Sequence, residues 1–185
     1  MKNAFLIGDK TYLRPIDKDD APALAAWYND QELTRFLTWY RPMNLAQEED
    51  FIKKLQANET DVILGIATRE EDRLIGCLGL HQTDLRNRHA VFGIAVGDKT
   101  YWGKGHGTEA TRLLLDHAFA TLNLNRVWLQ VIDFNQRAIR SYEKLGFRHE
   151  GRLRQHAFRE GKYWDSLVMG ILRAEWEERR SEPEA

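Results

Sequence analysis

The sequence predicts a mixed α/β or α+β domain, with about seven strands in one sheet and about four flanking helices. Three observations predict it. Runs rich in Val, Ile, Leu and Trp recur at residues 61–68, 74–82, 89–96 and 126–132, each bounded by polar breaks. In the C-terminal half, helical patterns at 107–122 and 136–145 each follow a strand pattern directly. The chain has 185 residues, 43% of them hydrophobic, and no Pro- or Ser-rich linker, which suits one domain with a real core. That domain is expected over 1–176. The polar stretch 177–185 has little to bury and reads as a flexible tail.

In chain order, residues 11–15 form a short strand candidate. Asp17, Asp19 and Asp20 then open a helix to about Asn29, since acidic groups suit the positive end of a helix. Leu24, Trp27 and Tyr28 share one face of it. Asn44 caps a second helix, with Gln47 as its reciprocal capping-box partner. Leu45, Ile52 and Leu55 recur along it at helical spacing, whereas Glu48, Glu49 and Asp50 read as a solvated turn. Residues 61–68 and 74–82 read as a hairpin across the polar turn 69–73, and 89–96 as a further strand. Residues 107–122 read as a helix, 126–132 as a strong strand, and 136–145 as a helix ended by Gly146. Residues 147–157 and 163–172 then make a last hairpin around Glu160 and Gly161.

Lys and Arg total 27 against 28 Asp and Glu, a net charge of −1. That balance argues against a broad basic nucleic-acid face and against a polybasic membrane anchor. The single Cys77 excludes an intrachain disulfide framework and a Cys-rich zinc site, and no metal is expected. The longest apolar runs fall far short of the ~20 residues that cross a bilayer. A soluble, cytoplasmic protein is the expectation.

The richest segment is Trp102-Gly103-Lys104-Gly105-His106-Gly107-Thr108-Glu109-Ala110, between a strand and a helix. Alternating glycines let a backbone approach a ligand closely. The helix start offers unpaired N–H groups and a positive field, which together suit a phosphate. The plain alternative is a glycine-rich turn before a capped helix. The segment lacks the Gly-Lys-Ser/Thr of a P-loop, and the spacing fails the dinucleotide pattern G-x-G-x-x-G.

This segment resembles the acetyl-CoA loop Q/R-x-x-G-x-G/A of the GNAT superfamily of N-acetyltransferases. Gly105 and Gly107 match its glycines, and Trp102 stands where that family has Gln or Arg. The loop can still act through backbone N–H groups, but Trp102 is not expected to touch phosphate itself. A second segment, from Asn135 through Ala138, Tyr142, Lys144 and Gly146 to Phe147, is similar to the family's N-x-x-[AS]-x-x-x-[YF]-x-[KR]-x-G-F. Read alone, Asn135 caps a helix and Tyr142 is a core aromatic. The closing segment, with Glu150-Gly151-Arg152-Leu153-Arg154 and Gly161-Lys162-Tyr163-Trp164-Asp165, resembles a subgroup that holds ribosomal-protein N-terminal and spermidine acetyltransferases.

The resemblance covers roughly residues 10–173 and implies a GNAT-like, mostly antiparallel central sheet and an acetyl-CoA-dependent enzyme. It implies that Gly103, Lys104, Gly105, His106, Gly107 and Thr108, beside Trp102, hold the coenzyme diphosphate. Ile94, Ala95 and Val96 hold the pantetheine arm, with Asn135 near it. Tyr142 protonates the leaving thiolate. The acceptor is a primary amine, of a polyamine or amino sugar or at a protein N-terminus, attacking directly in a ternary complex. No nucleic acid or membrane partner is implied, and a homodimer is admitted without being required.

The general base is the open point. Relatives place Glu in an A-E-[FI] pattern, and here Val91 stands in that position. His81 and Asp84 are the candidates to replace it. His117 reads as a packed helix histidine, and Cys77 as a small buried hydrophobe. The acceptor pocket is expected from the first two helices, their loop and the closing hairpin, with Trp27, Tyr28, Asn29, Asp30, Glu32, Trp39 and Tyr40 on offer. The missing Glu keeps a non-catalytic acyl-CoA-binding module as the alternative. A phosphate-binding structural protein unrelated to the coenzyme is the third reading.

Overall fold

A computed structural model describes residues 1–58 and 60–181. Their contacts group into two compact units, residues 1–82 with 93–114, and residues 83–92 with 115 onward.

The first unit holds β1 (Leu6–Ile7), β2 (Thr11–Pro15), α1 (Ala21–Tyr28), α2 (Gln31–Thr34), α3 (Leu45–Gln56), β3 (Val62–Thr68) and β4 (Leu74–Asp84). The last two residues of β4 fall in the second unit. Strands β1 to β4 pair antiparallel, each with the next. These strands bury Leu13, Ile66, Ile75, Leu78 and Leu80, in consecutive buried runs rather than strict alternation. A further cluster of Ile16, Ala21, Leu24 and Ile52 packs α1 and α3 together. Ahead of α1, Arg14 donates both guanidinium ends to Asp20 at 2.7 Å in a buried pair. Helix α3 has the reciprocal cap read from the sequence: Gln47 N–H donates to Asn44 Oδ1 at 2.9 Å, and Asn44 N–H to Gln47 Oε1 at 3.0 Å.

Strand β5 (His89–Val96) gives its N-terminal half to the second unit and its C-terminal half to the first. Helix α4 (His106–Ala120) likewise contributes to both. The second unit adds β6 (Arg126–Ile132), α5 (Gln136–Leu145), β7 (Arg148–Arg159), β8 (Lys162–Leu172) and α6 (Arg173–Ser181). Here β5 pairs parallel with β6, and β8 lies antiparallel between β6 and β7. Asn135 Oδ1 accepts from Ala138 N–H at 3.3 Å to start α5. Gly146 ends it at φ 96°, a left-handed conformation costly for other residues.

The strand order is β1-β2-β3-β4-β5-β6-β8-β7, so the mixed, mostly antiparallel sheet has eight strands where about seven were expected. The helices number six among the described residues where about four were expected. The additions are β1, α2 and α6. The expected tail is helical as far as Ser181, and residues 182–185 lie outside the described ones. Trp176 anchors α6, buried and donating to Asp116 at 3.1 Å. No described helix is long and apolar enough to cross a membrane.

Candidate active site

The glycine loop leaves β5 at Val96. Asp98 holds the turn after it, its carboxylate accepting from Thr100 N–H at 3.1 Å and Thr100 hydroxyl at 2.7 Å. Gly103 and Gly105 take φ 73° and 90°, which glycine adopts without strain. A Cβ on Gly103 would meet nothing within 4 Å, and one on Gly105 only Lys10 Nζ at 3.7 Å. The outer side of the loop is therefore open, and α4 begins at once with His106.

Cationic groups gather on this open side. Lys10 Nζ donates to the Lys104 carbonyl at 3.3 Å, and Lys104 lies 5.7 Å from the Tyr101 ring centre. The His106 imidazole meets the same Tyr101 ring edge-on at 5.1 Å. Burial, then the charges of Lys10 and Lys104, push His106 below the usual histidine range, against the pull of Glu109. Open loop, helix N-terminus and two lysines fit a diphosphate. Glu109 fixes the loop to the β1–β2 turn, accepting from Asp9 N–H at 2.7 Å and from Thr11 N–H at 2.8 Å and Oγ1 at 2.6 Å. Burial alone would raise its pKa, but the hydrogen bonds from Thr11, Lys10 and Asp9 outweigh it, and the carboxyl stays below its usual range.

The Trp102 indole donates to the Val96 carbonyl at 2.6 Å, which commits its only N–H to the backbone. Ile94, Ala95 and Val96 are half-buried, and Ile94 and Ala95 line a cavity of about 440 Å³ within the first unit. Of the sequence candidates for an acceptor pocket, Tyr28 and Trp39 also line it. The others do not. Trp27 packs on Gly97. Asn29 clamps the chain at Met43, donating to its carbonyl at 2.6 Å and accepting its N–H at 2.9 Å. Asp30 and Glu32 both pair with Lys99 at 2.7 Å, and Tyr40 is exposed.

The base candidates part ways. His81 lines the cavity, and a Cβ at Gly93 would sit 3.3 Å from its Nε2. Burial pushes its imidazole below the usual range, against a weaker pull from Asp61. Asp84, in the second unit, accepts from the Asn87 backbone at 2.8 Å and side chain at 2.7 Å, and lies 3.8 Å from His89.

Three expectations need correction. Glu48 is fully buried in the cavity wall, because it lies on the same face of α3 as Ile52, four residues on; Glu49 and Asp50 are exposed. Burial lifts its carboxyl to about 7. Cys77 is half-buried rather than enclosed, and its thiol is pushed up to about 11, chiefly by burial. Leu45, expected on the apolar face of α3, is 46% exposed. Sequence reasoning missed Glu48 and Lys10. The spacing to Ile52 could have flagged Glu48, and nothing local could have flagged Lys10.

In the second unit, Tyr142 lies on the buried face of α5 with Ile139 and Leu145. Its ring meets Phe92 edge-on at 6.1 Å and Phe147 at 5.7 Å. Burial pushes its phenol above the usual tyrosine value, so it holds its proton at neutral pH. His117 is half-buried on α4, as read from the sequence.

Residues 10–148 match the family model of the acetyltransferase (GNAT) domain. The uncharacterized N-acetyltransferase p20 of Bacillus licheniformis is 30% identical over 92% of this chain and 97% of its own. The spermidine N(1)-acetyltransferase of Escherichia coli is 29% identical over 89% of this chain and 87% of its own. Among solved structures, a variant of the spermidine N-acetyltransferase of Vibrio cholerae superposes with a TM-score of 0.79 at 26% identity, covering 91% of this chain and 99% of that one.

Proposed function

Since the chain belongs to the GNAT family and is an acetyl-CoA-dependent N-acetyltransferase, we propose that its acceptor is a small cationic amine bound in the cavity of the first unit. The observation that carries this reading is the cavity itself. It brings His81, the β5 backbone from Gly93 to Ala95 and a buried carboxylate to one pocket of about 440 Å³. That volume suits a small molecule, whereas a protein N-terminus would need an open groove. The spermidine acetyltransferases among the relatives are consistent with such an acceptor. The one-domain organisation over 1–176 belongs to the same proposal, since β5 and α4 run unbroken through both units.

The coenzyme supplies a thioester-activated acetyl group. Backbone N–H groups from Gly103 to Thr108, with Lys10 and Lys104, bind its diphosphate. The stretch Ile94 to Val96 aligns the pantetheine arm, with Asn135 assigned beside it, and a backbone N–H there donates to the carbonyl oxygen as charge develops. His81 Nε2 takes the proton that leaves the attacking nitrogen, a role its depressed pKa permits because the imidazole is neutral at pH 7. Tyr142 Oη gives its proton to the departing sulfur.

An acetyl-CoA assay against a panel of small amines and short peptides tests the reading. Small amines should be acetylated and peptides should not. In that assay His81→Gln should lower kcat by about 10²-fold and remove an acid limb whose midpoint lies below the usual histidine pKa. Acetylation confined to peptides, or an unchanged pH profile in the variant, would contradict it.

A further inference from the structure

Glu48 has no role in the chemistry above, yet its placement is unusual. The side chain is fully buried, and neither Oε1 nor Oε2 has a hydrogen-bond partner among the described residues. Buried carboxylates are ordinarily paired, because both oxygens lose water. The cavity that it lines is mostly apolar, walled by Leu37, Trp39, Met43, Phe51 and Ile63. The titratable groups facing it are Tyr28 of α1 and Cys77 of β4, whose hydroxyl and thiol lie 3.8 Å apart. Tyr28 is pushed up chiefly by Cys77 and burial, and Cys77 chiefly by burial, with the charge of Glu48 adding to both; each stays neutral and brings no positive charge to the carboxylate. Lys54 lines the cavity from an exposed position on α3, and His81, which faces Asp61, lines it from β4.

The two polar ends of the cavity are set apart by the strand. Cys77, Gly79 and His81 share one face of β4, and four residues of strand span about 13 Å. Glu48 faces the Cys77 end, and His81 reaches over Gly93 at the other. We propose that Glu48 binds a second cationic group of the acceptor, remote from the reacting amine, and so selects diamines whose interior is uncharged. The inference rests on the acetyl-transfer reading only for which end reacts. Apolar walls between two polar ends suit a methylene chain, and the described lining gives an internal ammonium no second carboxylate. An ammonium docked on Glu48 favours its ionised form, so binding strengthens as pH rises through about 7.

The test is a calorimetric titration of the CoA-loaded protein with α,ω-diaminooctane and with octylamine. The wild type should bind the diamine at least about tenfold more tightly, as expected for a hydrogen-bonded charge pair. Glu48→Gln should abolish that preference, and with it the loss of diamine affinity as pH falls from 8 to 6. Glu48→Asp withdraws the carboxylate by one methylene, so the preferred diamine should lengthen. Without ligand, Glu48 should contribute a component by which the thermal midpoint falls as pH rises from 5 to 8, read as the difference between wild type and Glu48→Gln. The folded carboxyl binds its proton more tightly than the unfolded one, and that advantage is lost above its folded pKa. In Glu48→Gln this component should vanish, which also reports that the variant folds. A preference for the diamine that survives in Glu48→Gln, or an equal weakening of both amines, would overturn the assignment. Turnover is scored separately. A Glu48-dependent diamine preference without acetylation supports the inference and removes the acetyl-transfer reading. Acetylation of octylamine with no advantage for the diamine does the reverse.

Discussion

Replacing Tyr142 with Phe should lower kcat by about 10² to 10³-fold while acetyl-CoA affinity stays within about twofold. The change deletes one hydroxyl and keeps the ring. The packing of that ring against Phe92 and Phe147, and its place on the buried face of α5, are retained. Thermal stability should therefore change little. The direction of the phenol's pKa matters here. Burial holds the proton on oxygen through neutral pH, so the group is a donor and not a base. A thiolate is less basic than this phenolate, so the transfer is uphill on its own and is carried by the collapse of the tetrahedral intermediate; without the phenol proton the sulfur must leave as an anion. Kinetics and a coenzyme titration on the same preparation decide the point. Loss of coenzyme binding with unchanged turnover of the bound complex would reject the acid role.

Gly105→Val should weaken acetyl-CoA binding by about tenfold to a hundredfold, through two separable effects. At φ 90° the backbone is in a region that a β-branched residue adopts only under strain, so the loop must shift. The new methyl groups would also project into the open space where only Lys10 Nζ stands, 3.7 Å from the added Cβ. Both effects withdraw backbone N–H groups at the start of α4 from an anion. The cavity proposed for the amine includes no residue of this loop, so amine affinity should be preserved. Unchanged coenzyme affinity would mean that the loop holds no diphosphate.

Much of the fold was legible because its signals are local. Asn44 with Gln47 and Asn135 with Gly146 mark their helices by capping chemistry, and both helices form with those caps. Strands β5 and β6 run over the expected residues, since apolar runs of that length have few alternatives. The last hairpin turns at Glu160 and Gly161, both at positive φ, as a tight hairpin turn requires. What escaped depends on distant partners. The α6 sequence is mostly charged and reads as solvent-facing. It is held by Trp176 on Asp116 and by Arg173, whose guanidinium reaches the carbonyls of Leu124 at 3.0 Å and Phe119 at 2.5 Å. Strand β1 has two residues and α2 four, too short to carry a period.

The site divides in the same way. The glycine loop and the Tyr142 segment stand out as motifs, because close backbone approach and helix capping restrict residue type. Glu48 sits in a run of three acids, and only its phase relative to Ile52 separates it from its solvated neighbours. His81 could be named as a candidate base, but only the fold separates it from Asp84, which is held by Asn87. Lys10 reaches the loop from 94 residues away, a proximity no sequence pattern encodes.

The most direct test of the account is a calorimetric comparison of acetyl-CoA with acetyl-pantetheine, which carries the same thioester arm without the diphosphate and the 3′-phosphoadenosine joined to it. If the loop backbone from Gly103 to Thr108 and the two lysines seat that group, acetyl-CoA should bind at least about a hundredfold more tightly, and the advantage should shrink as salt is raised. Equal affinity for the two ligands, independent of salt, would contradict it.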